Sequence, residues 1–158
     1  MHIEMKVADT TIEAEALCEM DKKIFLPSDA FDDPEMWEGY ECFWIVVDGQ
    51  IAGSVAMGLN LDFGGSWEKD APCPGCLFIV TTGILPDYQR KGIGSFVKEW
   101  QIDFARRGGF TRVSTNFRKS NIGSRRLNEK FGFKVVGEVA DYFSDPDEPS
   151  IVMELELQ

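Results

Sequence analysis

A chain of 158 residues is the size of one ordinary domain, and 44% apolar with 12% aromatic residues is the composition of a packed globule, which excludes a disordered segment. A net charge of −11 repels nucleic acid and suits cationic small molecules or basic peptides, although the same acidity also simply keeps a protein dispersed in water. The longest apolar runs, residues 43–47 and 77–80, are far too short to cross a bilayer, and the N-terminal Met1-His2-Ile3-Glu4-Met5-Lys6 lacks a signal peptide's apolar centre. One domain over residues 1–158 is therefore expected, cytoplasmic and without a membrane partner, with Cys18, Cys42, Cys73 and Cys76 as reduced thiols.

Residues 3–8 alternate as a strand, and Asp9, Thr10 and Thr11 offer caps for a helix that carries Ile12, Ala16, Leu17 and Met20. The acidic, turn-rich stretch Pro27 to Pro34 breaks that helix, and Pro34 starts a second, short one through Trp37. Residues 43–47, Asp48-Gly49-Gln50 and residues 51–61 read as a hairpin, because Asp-Gly supplies the positive backbone angles a two-residue turn needs. Residues 62–75, with three Gly and two Pro, read as a loop. Cys73 and Cys76 form a Cys-x-x-Cys pair, but a tetrahedral metal site needs two more ligands and His2 is the only histidine, so neither a metal nor a redox role is expected.

Residues 77–85 are the most apolar strand, residues 96–104 have helical spacing that ends in Arg106-Arg107-Gly108-Gly109, and residues 111–117 are again strand-like. A helix over 121–131, a strand over 133–139 and a last strand over 151–155, after an Asp/Pro-rich loop at 144–149, complete the order β-α-α-β-β-β-α-β-α-β-β. That order predicts a mixed α/β class, with helices packed on one sheet.

The segment Pro86-Asp87-Tyr88-Gln89-Arg90-Lys91-Gly92-Ile93-Gly94-Ser95 joins the apolar strand to an amphipathic helix. Gly92 and Gly94 leave the backbone open to a ligand, so successive N–H groups can face a pyrophosphate at the positive end of the helix, with Arg90 and Lys91 adding charge. A Walker A loop and a three-glycine dinucleotide fingerprint are both absent. The competing reading is a tight strand-to-helix connection with solvated cations.

This stretch resembles the GNAT superfamily of N-acetyltransferases. Ile84-Leu85-Pro86 matches the family's aliphatic-x-Pro strand end, Gln89-Arg90-Lys91-Gly92-Ile93-Gly94 matches its Gln/Arg-x-x-Gly-x-Gly/Ala, and Asn121 ahead of Phe131-Gly132-Phe133 matches the downstream motif at the right separation. The resemblance covers residues 76–137 and implies a GNAT-like acyl-CoA N-acyltransferase fold, a single mixed layer of about seven strands flanked by about four helices. It implies acetyl-CoA as co-substrate and no metal. Backbone groups of Gly83, Ile84 and Leu85 would receive the pantetheine arm, residues 89–95 the pyrophosphate, and Asn121 a pantetheine or thioester contact unless it only caps its helix.

Two positions depart from the family. Asn128 stands where many members carry a Tyr that protonates the thiolate, and Asn116 stands where some carry a basic Glu. The implied reaction is attack of a primary amine, from a small molecule or basic peptide, in a ternary complex, with Tyr142, expected in the last strand-strand connection, and Ser124 as candidate donors and Glu38 and Glu41 as candidate bases. Each of these four also has a plain reading as solvated surface or packing. The aromatics Phe25, Phe31, Trp37, Tyr40, Phe43 and Trp44 are read as core or as an acceptor pocket. A monomer or homodimer is expected, and a non-catalytic acyl-CoA-binding module is the alternative.

Overall fold

The computed structural model describes residues 1–66 and 69–158. The elements run β1 (Ile3–Val7), α1 (Thr10–Ile24), a 3-10 turn (Pro34–Trp37), β2 (Glu41–Val47), β3 (Gln50–Ser66), β4 (Lys69–Ile84), a 3-10 turn (Pro86–Tyr88), α2 (Ile93–Arg107), β5 (Arg112–Arg118), α3 (Ile122–Lys130), β6 (Lys134–Phe143) and β7 (Glu148–Glu156). The seven strands form one mixed sheet in the order β1-β2-β3-β4-β5-β7-β6. The expected element order holds, with one change: the second of the four helices is a single 3-10 turn. Among the described residues no helix is long and apolar enough to cross a membrane.

The chain divides into two compact units, residues 1–57 with 80–97 and residues 58–79 with 98–158. In the first, α1 starts because Asp9 accepts from the N–H of Thr11 at 3.0 Å while Glu13 reaches back to the N–H of Asp9 at 3.0 Å, closing two of the donors a helix start leaves open. Its inner face is Ala14, Leu17, Cys18 and Asp21, a spacing of one stripe. This face joins a core of Trp37, Cys42, Trp44, Val46 and Ala56. Both buried indoles find acceptors: Trp44 Nε1 donates to Glu13 at 2.7 Å and Trp37 Nε1 to the carbonyl of Phe31 at 3.2 Å. The expected hairpin closes on Asp48 and Gly49, at φ 48° and 81°.

In the second unit β4 pairs in parallel with β5 over Cys76–Ile79 and Arg112–Thr115, and β5 pairs antiparallel with β7 from Arg112 to Arg118. The β6–β7 connection is tied by Arg118, which donates to the carbonyls of Ser144 and Pro146 at 2.8 Å, pairs with Glu148 at 3.1 Å and covers the ring of Phe143. Glu148 also accepts from the N–H of Ser120; the Ser120 hydroxyl first, then that N–H and Arg118, hold its carboxyl below the usual range against the effect of burial.

Two expected loops are shorter than their sequences suggest. Residues 62–75 are strand wherever described, residues 67 and 68 lying outside the described residues. Long-range partners supply the order that Gly and Pro withhold locally: Asp62 pairs with Arg112 at 2.6 Å, and the ring of Phe63 packs on Phe78 and Tyr142. The second loop shrinks to residues 144–147 as β6 and β7 extend past their expected ends.

β3 and β4 approach closely at two glycines. A Cβ at Gly53 would lie 2.0 Å from the carbonyl oxygen of Gly83, a backbone atom that cannot swing away. Gly53→Ala is therefore expected to destabilise the fold by about 2–3 kcal/mol, seen as a lower urea midpoint at unchanged slope.

Candidate functional site

β4 ends in Gly83, buried under the side chains of Ile24 and Phe25, whose atoms stand about 3 Å from where a Cβ would be. Beyond it the N–H of Leu85 donates to Ala52 at 2.8 Å, and Gln89 Nε2 folds back onto the carbonyl of Ile84 at 2.9 Å, fastening the turn to the strand. Arg90 and Gly92 both take positive φ, 61° and 82°, and nothing lies within 4 Å of the Cβ position of Gly92. The first helical bond of α2 runs from the N–H of Phe96 to Gly92 at 3.2 Å, so the N–H groups of Ile93 and Gly94 fall outside the helix's own ladder. Arg90 and Lys91 are exposed beside this opening, with the Lys91 ammonium 5.9 Å from the Tyr88 ring centroid. The structure thus brings Gly83, Ile84, Leu85 and Gln89–Ser95 together as one strand end, turn and helix start. In the same unit, Glu41 is exposed at the first position of β2, and Glu38 is exposed after the 3-10 turn.

In the second unit Asn121 caps α3, its Oδ1 accepting from the N–H of Ser124 at 3.0 Å. The cap reading is correct, and it uses only the oxygen, leaving the amide NH2 as the group that a ligand acceptor would engage. Asn128 is 4% exposed; its Nδ2 donates to the carbonyl of Ser124 at 2.9 Å, and its Oδ1 is buried with no partner among the described residues. Asn116 donates to Ser150 Oγ at 3.1 Å. Tyr142 is not in the last connection as expected: it lies within β6, half-buried, with its ring against Phe63 and Phe143. Of the N-terminal aromatics Trp37, Phe43 and Trp44 are buried, Phe31 and Tyr40 are half-buried against the core of Trp37 and Trp44, and Phe25 is half-buried.

Two buried ionisable groups escaped the sequence reading. Asp21 is 1% exposed and accepts from the N–H of Phe31 at 3.0 Å; burial pushes its carboxyl up to about 6 despite that bond. The available signal was a carboxylate on the apolar stripe of α1, at the same spacing as Ala14, Leu17 and Cys18. Lys98 is 6% exposed with its ammonium 5.0 Å from the Phe133 ring centroid, and burial brings it down to about 7. It takes a position adjoining buried Val97 on the inner side of α2.

In the first unit the strand end and the glycine turn thus present backbone N–H groups that lie outside the ladder of α2. The model of the acetyltransferase (GNAT) family matches residues 13–133. The chain belongs to the GNAT acetyltransferase family. The chain spans less than half the length of the curated relatives it matches.

The chain is 34% identical over 68 residues to a probable N-acetyltransferase, san, of Drosophila melanogaster, a match spanning 42% of this chain and 37% of that protein. The same GNAT fold appears in the ribosomal-protein-S18-alanine N-acetyltransferase of Escherichia coli, with a TM-score of 0.79 at 20% identity over 99% of this chain and 95% of the other. A Bacillus subtilis acetyltransferase in complex with CoA superposes with a TM-score of 0.75 at 18% identity over 99% and 100% of the two chains. The GNAT match takes in Asp21, Lys98, Asn116, Asn121 and Asn128 and ends at Phe133, so Tyr142 lies beyond it.

The buried acid and base make opposite contributions to the pH dependence of stability. Asp21 titrates higher in the folded chain, about 6 against 3.8, so the folded state holds the extra proton in that window and stability falls as pH rises through it. Asp21→Asn is expected to flatten that fall and to raise stability at pH 7.5 by about 1–2 kcal/mol, with little gain at pH 4, measured by urea unfolding. Lys98 titrates lower when folded, about 7 against 10.5, so the unfolded state holds the extra proton and stability rises between those values. Lys98→Met is expected to stabilise by about 1–3 kcal/mol at pH 7, the gain shrinking toward pH 10.

Proposed function

We propose that the 158 residues form a single acetyl-CoA-dependent N-acetyltransferase domain, cytoplasmic and monomeric or dimeric, which acetylates a primary amine by direct attack in a ternary complex. The observation that carries the reading is the head of α2: Gly92 at positive φ with nothing near its Cβ position, followed by the N–H groups of Ile93 and Gly94 outside the helix ladder among the described residues, and flanked by Arg90 and Lys91. Such a turn accepts a pyrophosphate through backbone donors and the positive helix end. Among the described residues the parallel register of β4 with β5 ends at Ile79, so that edge of β4 from Val80 to Ile84 is not used by this pairing, and an extended amide-bearing arm could bond there. Gly83, Ile84 and Leu85 would hold that arm, and an N–H near Ile84 would polarise the thioester carbonyl.

For the ammonium proton, geometry ranks before pKa. Asp21 titrates near neutrality but is 1% exposed with one oxygen on Phe31, so it positions the 25–31 segment and does not meet a substrate. Glu41 and Glu38 are exposed and remain the candidate bases, and Ser124 and Tyr142 the candidate donors. The net charge of −11 suits a cationic small amine or a basic peptide; the E. coli neighbour is named for an alanine of a ribosomal protein, whose amine is also primary.

One observation favours the alternative, a non-catalytic acyl-CoA-binding module. Asn116 and Asn128, where the family resemblance implies a base in some members and an acid in many, are both turned to internal hydrogen bonds. Equilibrium titration with acetyl-CoA, followed by free-thiol release against polyamines, aminoglycosides, amino acids and basic peptides, separates the readings. Binding with acceptor-dependent release is expected, and Lys91→Glu is expected to weaken binding on the order of tenfold without changing thermal stability. Binding with no release from any acceptor supports the module, and no binding removes the assignment of residues 83–95.

A further inference from the structure

Cys73 and Cys76 have no part in the acetyl-transfer reading, yet the fold treats them differently from the other two thiols. In a regular strand, residues three apart point to opposite faces. Here Gly75, at φ 83°, breaks that alternation, and the kink is held by the N–H of Gly75 donating to Asn60 Oδ1 at 2.9 Å and by its carbonyl accepting from the N–H of Thr111 at 2.8 Å. The two sulfurs and an oxygen of Asp62 consequently lie within 4.8 Å of one another. Arg112 Nη2 donates to Cys73 Sγ at 3.0 Å and to Asp62 Oδ2 at 2.6 Å, so a guanidinium already holds the place a metal cation would take among these groups. Cys73 is half-exposed, and both cysteines line an open pocket of about 320 Å³ with Arg112 and Glu156.

We propose that Cys73 and Cys76 form a redox-active dithiol that exchanges with low-molecular-weight disulfides, with Cys73 as the attacking thiol and Cys76 as the resolving one. The deprotonated sulfur of Cys73 attacks one sulfur of the small disulfide; the Cys73–S bond forms, the S–S bond of the reagent breaks, and the released thiolate takes up a proton. Cys76 then gives up its proton, attacks Cys73 Sγ and expels the second small thiol. Two protein thiols and one disulfide become one protein disulfide and two thiols, with two electrons passing from protein to reagent. Burial pushes the Cys76 thiol up, opposed by Ser114 and Arg112, which keeps it protonated until the mixed disulfide forms beside it. Cys18 and Cys42 are buried, and burial pushes Cys42 up to about 12, so they serve as internal controls.

The test treats the reduced full chain with oxidised glutathione and counts alkylatable thiols by intact mass, mapping the linkage by digestion. The expected result is loss of two alkylatable thiols as a Cys73–Cys76 disulfide, accumulation of a stable glutathione adduct at Cys73 in Cys76→Ser, and no reaction in Cys73→Ser. Arg112→Lys, which keeps the charge but loses the fork, is expected to slow alkylation of Cys73 by roughly threefold to tenfold. The proposal is overturned if the wild-type chain keeps both thiols alkylatable in excess oxidised glutathione, or holds one metal ion per chain that blocks them. The assay is independent of acetyl-CoA, so either assignment can fail alone.

Discussion

Among the described residues the parallel register of β4 with β5 runs from Cys76 to Ile79, and the proposed acyl-CoA reading needs the edge of β4 beyond it to be uncommitted to β5. A parallel ladder continued to Ile84 would have committed the strand's polar edge to its neighbour. Instead β5 continues on β7 as far as Arg118, while the end of β4 is held from its other side, by Leu85 on Ala52 and by the close approach of Gly53 to Gly83. The turn that follows inherits a fixed starting point. Gln89 is bonded to the last strand carbonyl, and the positive φ of Gly92 aims the first turn of α2. Backbone groups of this kind discriminate little among side chains of a ligand, which fits a cofactor arm and pyrophosphate better than a variable acceptor.

This division explains which parts were legible in the sequence. The turn from Pro86 to Gly94 was readable because its geometry is set by residue types with restricted or unusual backbone angles, and the hairpin at Asp48-Gly49 for the same reason. Asn121 was readable as a cap because capping is a bond across three residues. The long upper arms of β3 and β4 were not, because their order comes from Asp62 and Arg112, fifty positions apart, and from Phe63 on Phe78 and Tyr142. The same lack of long-range information hid the dithiol cluster: Cys73 and Cys76 were visible, but Arg112 and the kink at Gly75 were not. Asp21 and Lys98 were missed because a single polar residue on an apolar helix face lowers a periodic signal only slightly.

Those buried charges cost stability, and the fold tolerates them in different ways. Asp21 keeps one hydrogen bond, to the Phe31 N–H, and thereby orders the acidic segment after α1. Lys98 has its aliphatic stem buried and its ammonium on an aromatic face, an arrangement that stabilises the cation less than water does. Asp21 therefore has a structural task that a neutral amide could share, whereas among the described residues the ammonium of Lys98 faces the Phe133 ring, which an apolar side chain can also pack against.

Asn128 and Asn116, at the positions where the family resemblance leads one to expect an acid and a base, bear most directly on the rate of the proposed transfer. Both amides are turned inward, to Ser124 and to Ser150, and an amide supplies no proton near neutral pH. General acid or base assistance is worth ~10²–10⁴-fold in a typical enzyme. Holding an amine and a thioester in a reactive arrangement is worth about 7–11 kcal/mol, a greater effect that in the proposed reading rests on the strand end and the glycine turn and not on either asparagine. A thiolate also leaves without protonation more readily than an alkoxide or amide, because its conjugate acid titrates near 8.5 in an unperturbed thiol. If the domain transfers acetyl groups as proposed, positioning survives the loss of proton assistance, so the two asparagines slow the transfer and shift the need for a base to carboxylates such as Glu41, or to water.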